Sequence, residues 1–312
     1  MPHAEILVAA DGAIDDCRPL AAGAGARVIE VPGPSGPAVA RNRAAAEAMG
    51  DVLVFVDADV VVAPDALQGM CRLLEAEPGI AGVFGAYDLD PPEPNFMSQY
   101  KNLSHACVHE AGNPEATTFW AGLGAMRMSV FRSVGGFDER FRRPSIEDID
   151  LGYRVRQAGH RLRLDPSFRG KHLKHWTMWS SIVTDVRARG VPWTQLIYKF
   201  GALANDLNTR FELRASVVLA YILLASVLTA AFLPAAGFVA LAAAFALVVL
   251  NRRYYAWFAR LRGPGFAIRA ILAHVLYHLC NGVSFLIGTA VHAGACIGLR
   301  LPGALPASDW NR

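Results

Sequence analysis

Short apolar runs rich in β-branched residues punctuate the N-terminal part of the chain. Glu5–Ala10 (EILVAA), Arg27–Val31 (RVIEV) and Val52–Val56 (VLVFV) are each bounded by Gly, Pro or Asp, as buried parallel strands are. Between the last two runs, residues 36–50 carry Ala38, Ala44, Ala45, Ala48 and Met49 as helix formers, with Pro37 suited to a first turn. Strand–helix–strand alternation predicts an α/β domain with a parallel sheet and right-handed crossovers. The same reading predicts a helix over 64–75, a strand over 81–87 and a helix over 99–110. DLDPPEP at 88–94 cannot be regular structure and reads as an exposed loop. Residues 147–158 read as a helix opening on acids, which complement the helix dipole.

The pattern changes after Asp165. Over 176–186, Trp176, Trp179, Ile182, Val183 and Val186 fall on one helical face. Ser180, Ser181, Thr184, Asp185 and Arg187 fall opposite. The segment Gly190–Pro192 predicts a break, and Trp193, Leu196, Ile197 and Phe200 begin a second apolar stripe. Aromatic-rich amphipathic helices beside hydrophobic spans fit a membrane interface, with packing on the soluble domain as the alternative. Residues 215–250 form one apolar stretch, too long for a single crossing of about 20 residues and enough for two. Pro234–Gly237 supplies the turn. Arg210 and Arg214 precede the stretch and Arg252 and Arg253 follow it, which places both ends in the cytoplasm. A third span is expected at about Ala270–Val291. It carries His274, Tyr277, His278 and Asn281 on one face, where they serve either helix-to-helix hydrogen bonds or a lipid acceptor. The expected organisation is a catalytic domain over 1–175, interfacial helices over 176–214, membrane helices over 215–293 and a tail over 294–312.

Composition sharpens this division. The hydrophobic fraction is 53%, and the acids concentrate in residues 1–175 while 215–293 nearly lacks them. A net charge of +3, without a Lys/Arg run, speaks against nucleic acid as a partner. The five cysteines show no CxxC pairing, so they read as small buried hydrophobes in a reducing compartment rather than a disulfide or zinc framework. The start MPHAEILVAADG lacks the basic segment of a signal peptide.

The strongest chemical signal is VLVFVDADV at 52–60. A buried strand delivers Asp57 and Asp59 to its C-terminal end, where open sheets bind ligands. Positions i and i+2 of an extended chain point the same way, so both carboxylates can address one site. Hard oxygen donors suit Mg²⁺ or Mn²⁺, which neutralise a leaving diphosphate. SIEDIDL at 145–151 supplies a second acidic group on a helix start. Such acids commonly cap helices, yet Asp148, with Glu147 beside it, is also placed to act as a general base.

Three ordered segments carry a resemblance: GPAVARNRAAAEAMGDVLVFVDADV (36–60), FWAGLGAMRMSVFRSVGGFDERF (119–141) and EDIDLGYRVRQAGHRL (147–162). Together they resemble a family 2 glycosyltransferase of the GT-A fold across roughly residues 4–175. The resemblance implies a Rossmann-like, mostly parallel α/β sheet and an inverting sugar transfer from a nucleotide-sugar donor. It implies that Asp57 and Asp59 bind metal and donor diphosphate, and that Asp148 is the catalytic base beside Glu147. Arg41 and Asn42 would lie near the nucleotide and Asp11 at the nucleobase, although Ala10 and Ala13 depart from the family's Asp-Asp-Gly-Ser pattern. Trp120 and Gly122 would line the acceptor side. KHLKHW at 171–176 partly resembles the Gln-x-x-Arg-Trp motif of processive members, bringing in His172 and Trp176. His172 would contact either metal or diphosphate, with a basic cluster at lipid headgroups as the alternative.

The family usually opens with one more strand and helix before the segment matching Glu5–Ala10. The expectation is a sheet with a slot, or closure of Glu5–Ala10 directly onto Val52–Val56. An upstream extension is expected to restore the missing elements. The membrane segments point to a lipid or glycan acceptor, such as a polyprenyl phosphate, at the cytoplasmic face of the inner membrane, with membrane lipids as further partners. A processive polysaccharide synthase and an inactive membrane scaffold are the alternatives.

Overall fold

The computed structural model describes residues 4–12, 17–201 and 205–299. Along the chain run β1 (Leu7–Asp11), α1 (Cys17–Gly23), β2 (Arg27–Val31), α2 (Pro37–Glu47), β3 (Val52–Val56) and β4 (Val60–Val62). Next come α3 (Ala66–Ala76), β5 (Ile80–Tyr87), α4 (Phe96–Glu110), β6 (Glu115–Ala116), β7 (Leu123–Arg127) and α5 (Met128–Ser133). Then follow α6 (Glu147–Gln157), β8 (Arg161–His172) and the helices α7 (Met178–Val183), α8 (Val191–Phe200), α9 (Phe211–Ala230), α10 (Ala236–Leu250), α11 (Arg252–Arg262) and α12 (Pro264–Cys296). Two compact units result: residues 1–94 with 112–174, and residues 95–111 with 175–312.

The first unit is mixed α/β, as expected, but its main sheet is not mostly parallel. The strand order is β3-β7-β5-β8-β4, with β6 paired to β8. Only β5–β8 is parallel in this sheet; β7 runs antiparallel to both β3 and β5. The sequence pattern missed β7, LGAMR, because it has no β-branched residue and carries a glycine. Its insertion separates β3 from β5 and imposes the antiparallel ladders. β1 and β2 form their own parallel pair, and among the described residues neither bonds to β3. Direct closure of the first strand onto 52–56 therefore does not occur. Every residue of β5 is buried, as a strand covered on both faces requires. Met70 and Leu74 of α3 pack against Ile80, Val83, Leu123 and Ala125 to form the core beneath it.

The second unit is helical. Residues 211–230 and 264–296 are long and apolar enough to cross a membrane, with mean hydropathies of 2.0 and 1.6. α10 and α11 meet at a 68° bend and make a third span if counted together. The hairpin turn falls between α9 and α10, at the expected Pro234. Packing is inverted relative to a soluble core. Ser216, Ala220, Ala240, Ala243 and Ser284 are buried, whereas Phe238, Leu241, Phe245, Leu272 and Leu286 are exposed. Small residues at helix contacts and large apolar ones outside are what a lipid solvent selects. Asn251 Nδ2 donates to Ser216 Oγ (2.8 Å), and Tyr221 Oη to the Leu279 carbonyl (2.8 Å).

One expectation for 176–200 needs correction. Gly190–Pro192 does not break the helix: Thr184–Gly190 winds as a π-helix that leads directly into α8. The wider turn accommodates Pro192 near the start of α8, where a missing N–H costs least. Gly190 allows Ser284 to approach closely. Within 176–186, two residues of the polar face lie inward, as does Trp176 of the apolar face. Ser181 and Asp185 are buried, while Trp179 is 72% exposed. The inward polar face is satisfied by Lys101, whose Nζ donates to both Asp185 oxygens at 2.6 and 2.9 Å. The end of the expected tail, residues 300–312, lies outside the described residues, as does Ala13.

Candidate active site

The turn after β3 carries both acids of the Asp-x-Asp pair. The Asp57 N–H donates to the Gly122 carbonyl (3.1 Å), and the Val60 N–H to the Asp57 carbonyl (3.0 Å). Asp59 is fixed from the other side, its carbonyl accepting from the Leu173 N–H at 2.8 Å. Antiparallel pairing of Val60 with His172 brings His172 Nε2 to 3.3 Å from Asp59 Oδ2. That hydrogen bond, opposed by burial and helped by the His172 and Lys174 charges, holds the Asp59 carboxyl below its usual range. Both acids remain solvent-accessible, with side-chain exposures of 34% for Asp57 and 45% for Asp59.

Arg41 joins this turn to the start of α6. One guanidinium nitrogen donates to Asp57 Oδ1 and the other to Glu147 Oε1, both at 2.7 Å. Burial works against the Arg41 charge, yet the two carboxylates outweigh it and raise its pKa. Asp148, next to Glu147, accepts the Ala121 N–H at 3.2 Å. Burial first, and the Glu147 charge second, push the Asp148 carboxyl up to about 7. An acid so placed changes protonation near neutral pH, the range in which a general base works best.

An aromatic wall closes the strand-end side. The Trp120 ring occupies the space a side chain at Gly122 would need, 2.5 Å from the position of its Cβ. Tyr87 meets Trp120 edge to face at 4.8 Å and stacks flat on His172 at 4.4 Å with 6° between the planes. Sequence reading missed Tyr87. Its place as the last residue of β5, an edge where open sheets present ligand-binding groups, is the signal that could have found it.

The other expected residues are engaged elsewhere. Asp11 accepts the N–H groups of Ser35 and Gly36, each at 2.7 Å, and so orders the entry to α2. Gly36 there has φ +99, a conformation that favours glycine. Asn42 clasps the backbone of Phe137, donating to its carbonyl (2.8 Å) and accepting its N–H (2.9 Å). Trp176 belongs to the second unit, where its N–H donates to Ser98 Oγ (2.7 Å) and Lys101 Nζ lies 5.5 Å from its ring. The structure thus brings together Asp57, Asp59, Arg41, Glu147, Asp148, Trp120, Gly122 and His172.

Asp57, Asp59 and His172 are the residues that could hold a divalent ion. Among the described residues no three His, Cys, Asp or Glu side chains converge on one point. The set does not make a closed protein cage. It does fit an ion that takes one or two carboxylates and completes its shell with water and substrate phosphate, as Mg²⁺ does.

The mixed sheet thus carries paired acids at one strand end, clamped by an arginine to a helix-borne acid pair. Residues 1–135 match the family model described as glycosyl transferase family 2, and residues 101–176 match one described as the N-terminal domain of galactosyltransferase. Over residues 1–135 the chain is similar to glycosyl transferase family 2. The pre-mycofactocin glycosyltransferase of Mycobacterium tuberculosis is 30% identical over 145 residues, 45% of this chain but only 30% of that relative's length. A mannosyltransferase, PcManGT from Pyrobaculum calidifontis, was solved with GDP-Man and Mn²⁺. It aligns over 93% of this chain and 77% of its own at 16% identity, with a TM-score of 0.46. GalNAc-T7, solved with UDP, GalNAc and Mn²⁺, aligns over 62% of this chain and 41% of its own at 18% identity, with a TM-score of 0.44.

Proposed function

We propose that the chain is an inverting, metal-dependent glycosyltransferase that moves a sugar from a nucleotide-sugar donor to a membrane lipid at the cytoplasmic face. The observation that carries this reading is the Arg41 clamp between Asp57 and Glu147, with the raised Asp148 alongside. Asp57 and Asp59 would hold Mg²⁺ or Mn²⁺ at the donor diphosphate, where the ion, when bound, neutralises leaving-group charge. Arg41 fixes Asp57 in place and balances the acids around it. Asp148, once deprotonated, takes the proton from an acceptor hydroxyl on the face opposite the leaving diphosphate. Trp120 and His172 border that space.

A base is useful only where the acceptor has a proton to lose. A polyprenyl phosphate presents an oxygen already ionised near neutral pH, whereas a hydroxyl-bearing lipid or glycan needs Asp148. The position of Asp148 therefore favours a hydroxyl acceptor within the lipid class. The activity with such an acceptor should rise with pH as Asp148 loses its proton and level off above about pH 7. The sign follows from the role: protonated Asp148 is inert as a base. A pH–rate profile that is flat across this range, or that falls with rising pH, would contradict the assignment.

The second unit supports a membrane location, with Trp179, Met178 and Tyr198 exposed on α7 and α8 as membrane-interface residues are. The arginines at 210, 214, 252 and 253 favour a cytoplasmic base for the α9–α10 hairpin. A cysteine introduced at Ala236 should then react with an impermeant thiol reagent in intact cells. Labelling only after lysis would reverse the topology.

A further inference from the structure

His172 Nε2 lies 3.3 Å from Asp59 Oδ2, an approach that depends on how the ring is turned. Pairing of His172 with Val60 fixes its Cα but leaves the side-chain torsions open. What lies flat against the ring is Tyr87, at 4.4 Å and 6°. Tyr87 is itself held from two directions. Its carbonyl accepts from Arg169 Nη1 at 3.0 Å, and the Asp88 N–H that follows donates to the Gly170 carbonyl at 2.8 Å. The β5–β8 ladder shifts register between Phe84 and Ala86, where partners jump from Leu164 to Arg169. Irregularities of this kind re-aim side chains beside functional sites. The edge of the Tyr87 ring pair then meets Trp120, whose indole covers Gly122, and the Gly122 carbonyl holds the Asp57 N–H. One ring thus touches the chain of contacts to both Asp59 and Asp57.

We infer that Tyr87 is a positioning residue: its ring sets the plane of His172 so that Nε2 meets Asp59, and braces Trp120 over Gly122. It touches neither donor nor acceptor and acts through these neighbours. The functional part of the inference rests on the proposed donor side at Asp57 and Asp59; the His172 orientation does not. The contacts to His172 and Trp120 are made by the ring, so Tyr87→Phe should keep the device and Tyr87→Leu remove it. Tyr87→Met fills the same space with a flexible chain and serves if the leucine variant fails to fold.

The test is carbethoxylation of histidines in the full chain in detergent, mapped by mass spectrometry, alongside turnover. His172 is 6% exposed, so it should label slowly in the wild type and in Tyr87→Phe. In Tyr87→Leu or Tyr87→Met its rate should rise about threefold or more through local opening, while buried His109 of the second unit keeps its rate. The kcat of these two variants should fall about 10–100-fold, the range for lost support of a site ligand, with the donor KM little changed and Tyr87→Phe recovering the loss. Equal His172 labelling in wild type, leucine and methionine variants would overturn the inference. So would Tyr87→Phe labelling as fast as Tyr87→Leu. If no variant, wild type included, transfers sugar while His172 still responds as described, the proposed function fails and the positioning stands.

Discussion

Asp148→Asn should still bind donor and lose transfer to a hydroxyl acceptor by about 10²–10⁴-fold, the range that general-base assistance contributes. The amide keeps the shape of the carboxyl and its oxygen can still accept the Ala121 N–H at 3.2 Å, while the Ile149 N–H loses the acceptor that Asp148 Oδ1 provides at 2.8 Å. It cannot take a proton near neutral pH. Loss of the charge itself should not cost folding. Burial and the Glu147 charge oppose ionisation of Asp148 in the folded protein, so the native state binds this proton more tightly than the unfolded chain does. The linkage then runs against stability as pH rises toward about 7, and a neutral amide escapes it. Single-turnover rates, with donor affinity measured separately, check this. A variant within about threefold of the wild type, against that expected range, would place the base elsewhere.

Asp185→Ala should be the most damaging single change in the second unit. Lys101 and Asp185 have side-chain exposures of only 11% and 9%, and they meet at 2.6 and 2.9 Å. Burial already lowers the Lys101 pKa, with Asp185 resisting that shift. Removing one partner of a buried pair leaves an uncompensated charge and costs about 3–5 kcal/mol. Replacing both by apolar residues of similar volume, Lys101→Met with Asp185→Leu, should recover most of that loss. Thermal melts in detergent decide it: a single variant melting with the wild type would show that the pair carries little.

What could be read from the sequence was local. Val52–Val56 and the two acids behind it form a short pattern whose meaning depends on neighbours in the chain, and β3 and its turn came out as expected. The helix carrying Glu147 and Asp148 did too. Arg41 was placed beside the nucleotide by resemblance; its contact with Glu147 spans 106 positions, a distance over which pattern is silent. β7 was missed because two of its expected cues, β-branching and alternation, are absent from LGAMR. Its antiparallel insertion is why the sheet is mixed. The apolar face of 176–186 was legible as an amphipathic pattern, but the partner of its polar face was not, because Lys101 lies 84 positions from Asp185. Gly190 and Pro192 read as a break because the rule concerns α-helices, and a π-turn obeys a different spacing.

The central claim is that the Asp57–Asp59–Asp148 cluster cleaves a nucleotide-sugar donor with a divalent ion. The most direct measurement is nucleoside diphosphate release by the purified chain from a panel of nucleotide sugars. It is run with a membrane lipid extract as acceptor, in Mn²⁺, Mg²⁺ or EDTA. Release is expected from at least one donor, with loss of that release in EDTA and silence of Asp57→Ala and Asp59→Ala under all conditions. Release that survives EDTA, or that persists in either alanine variant, would contradict it.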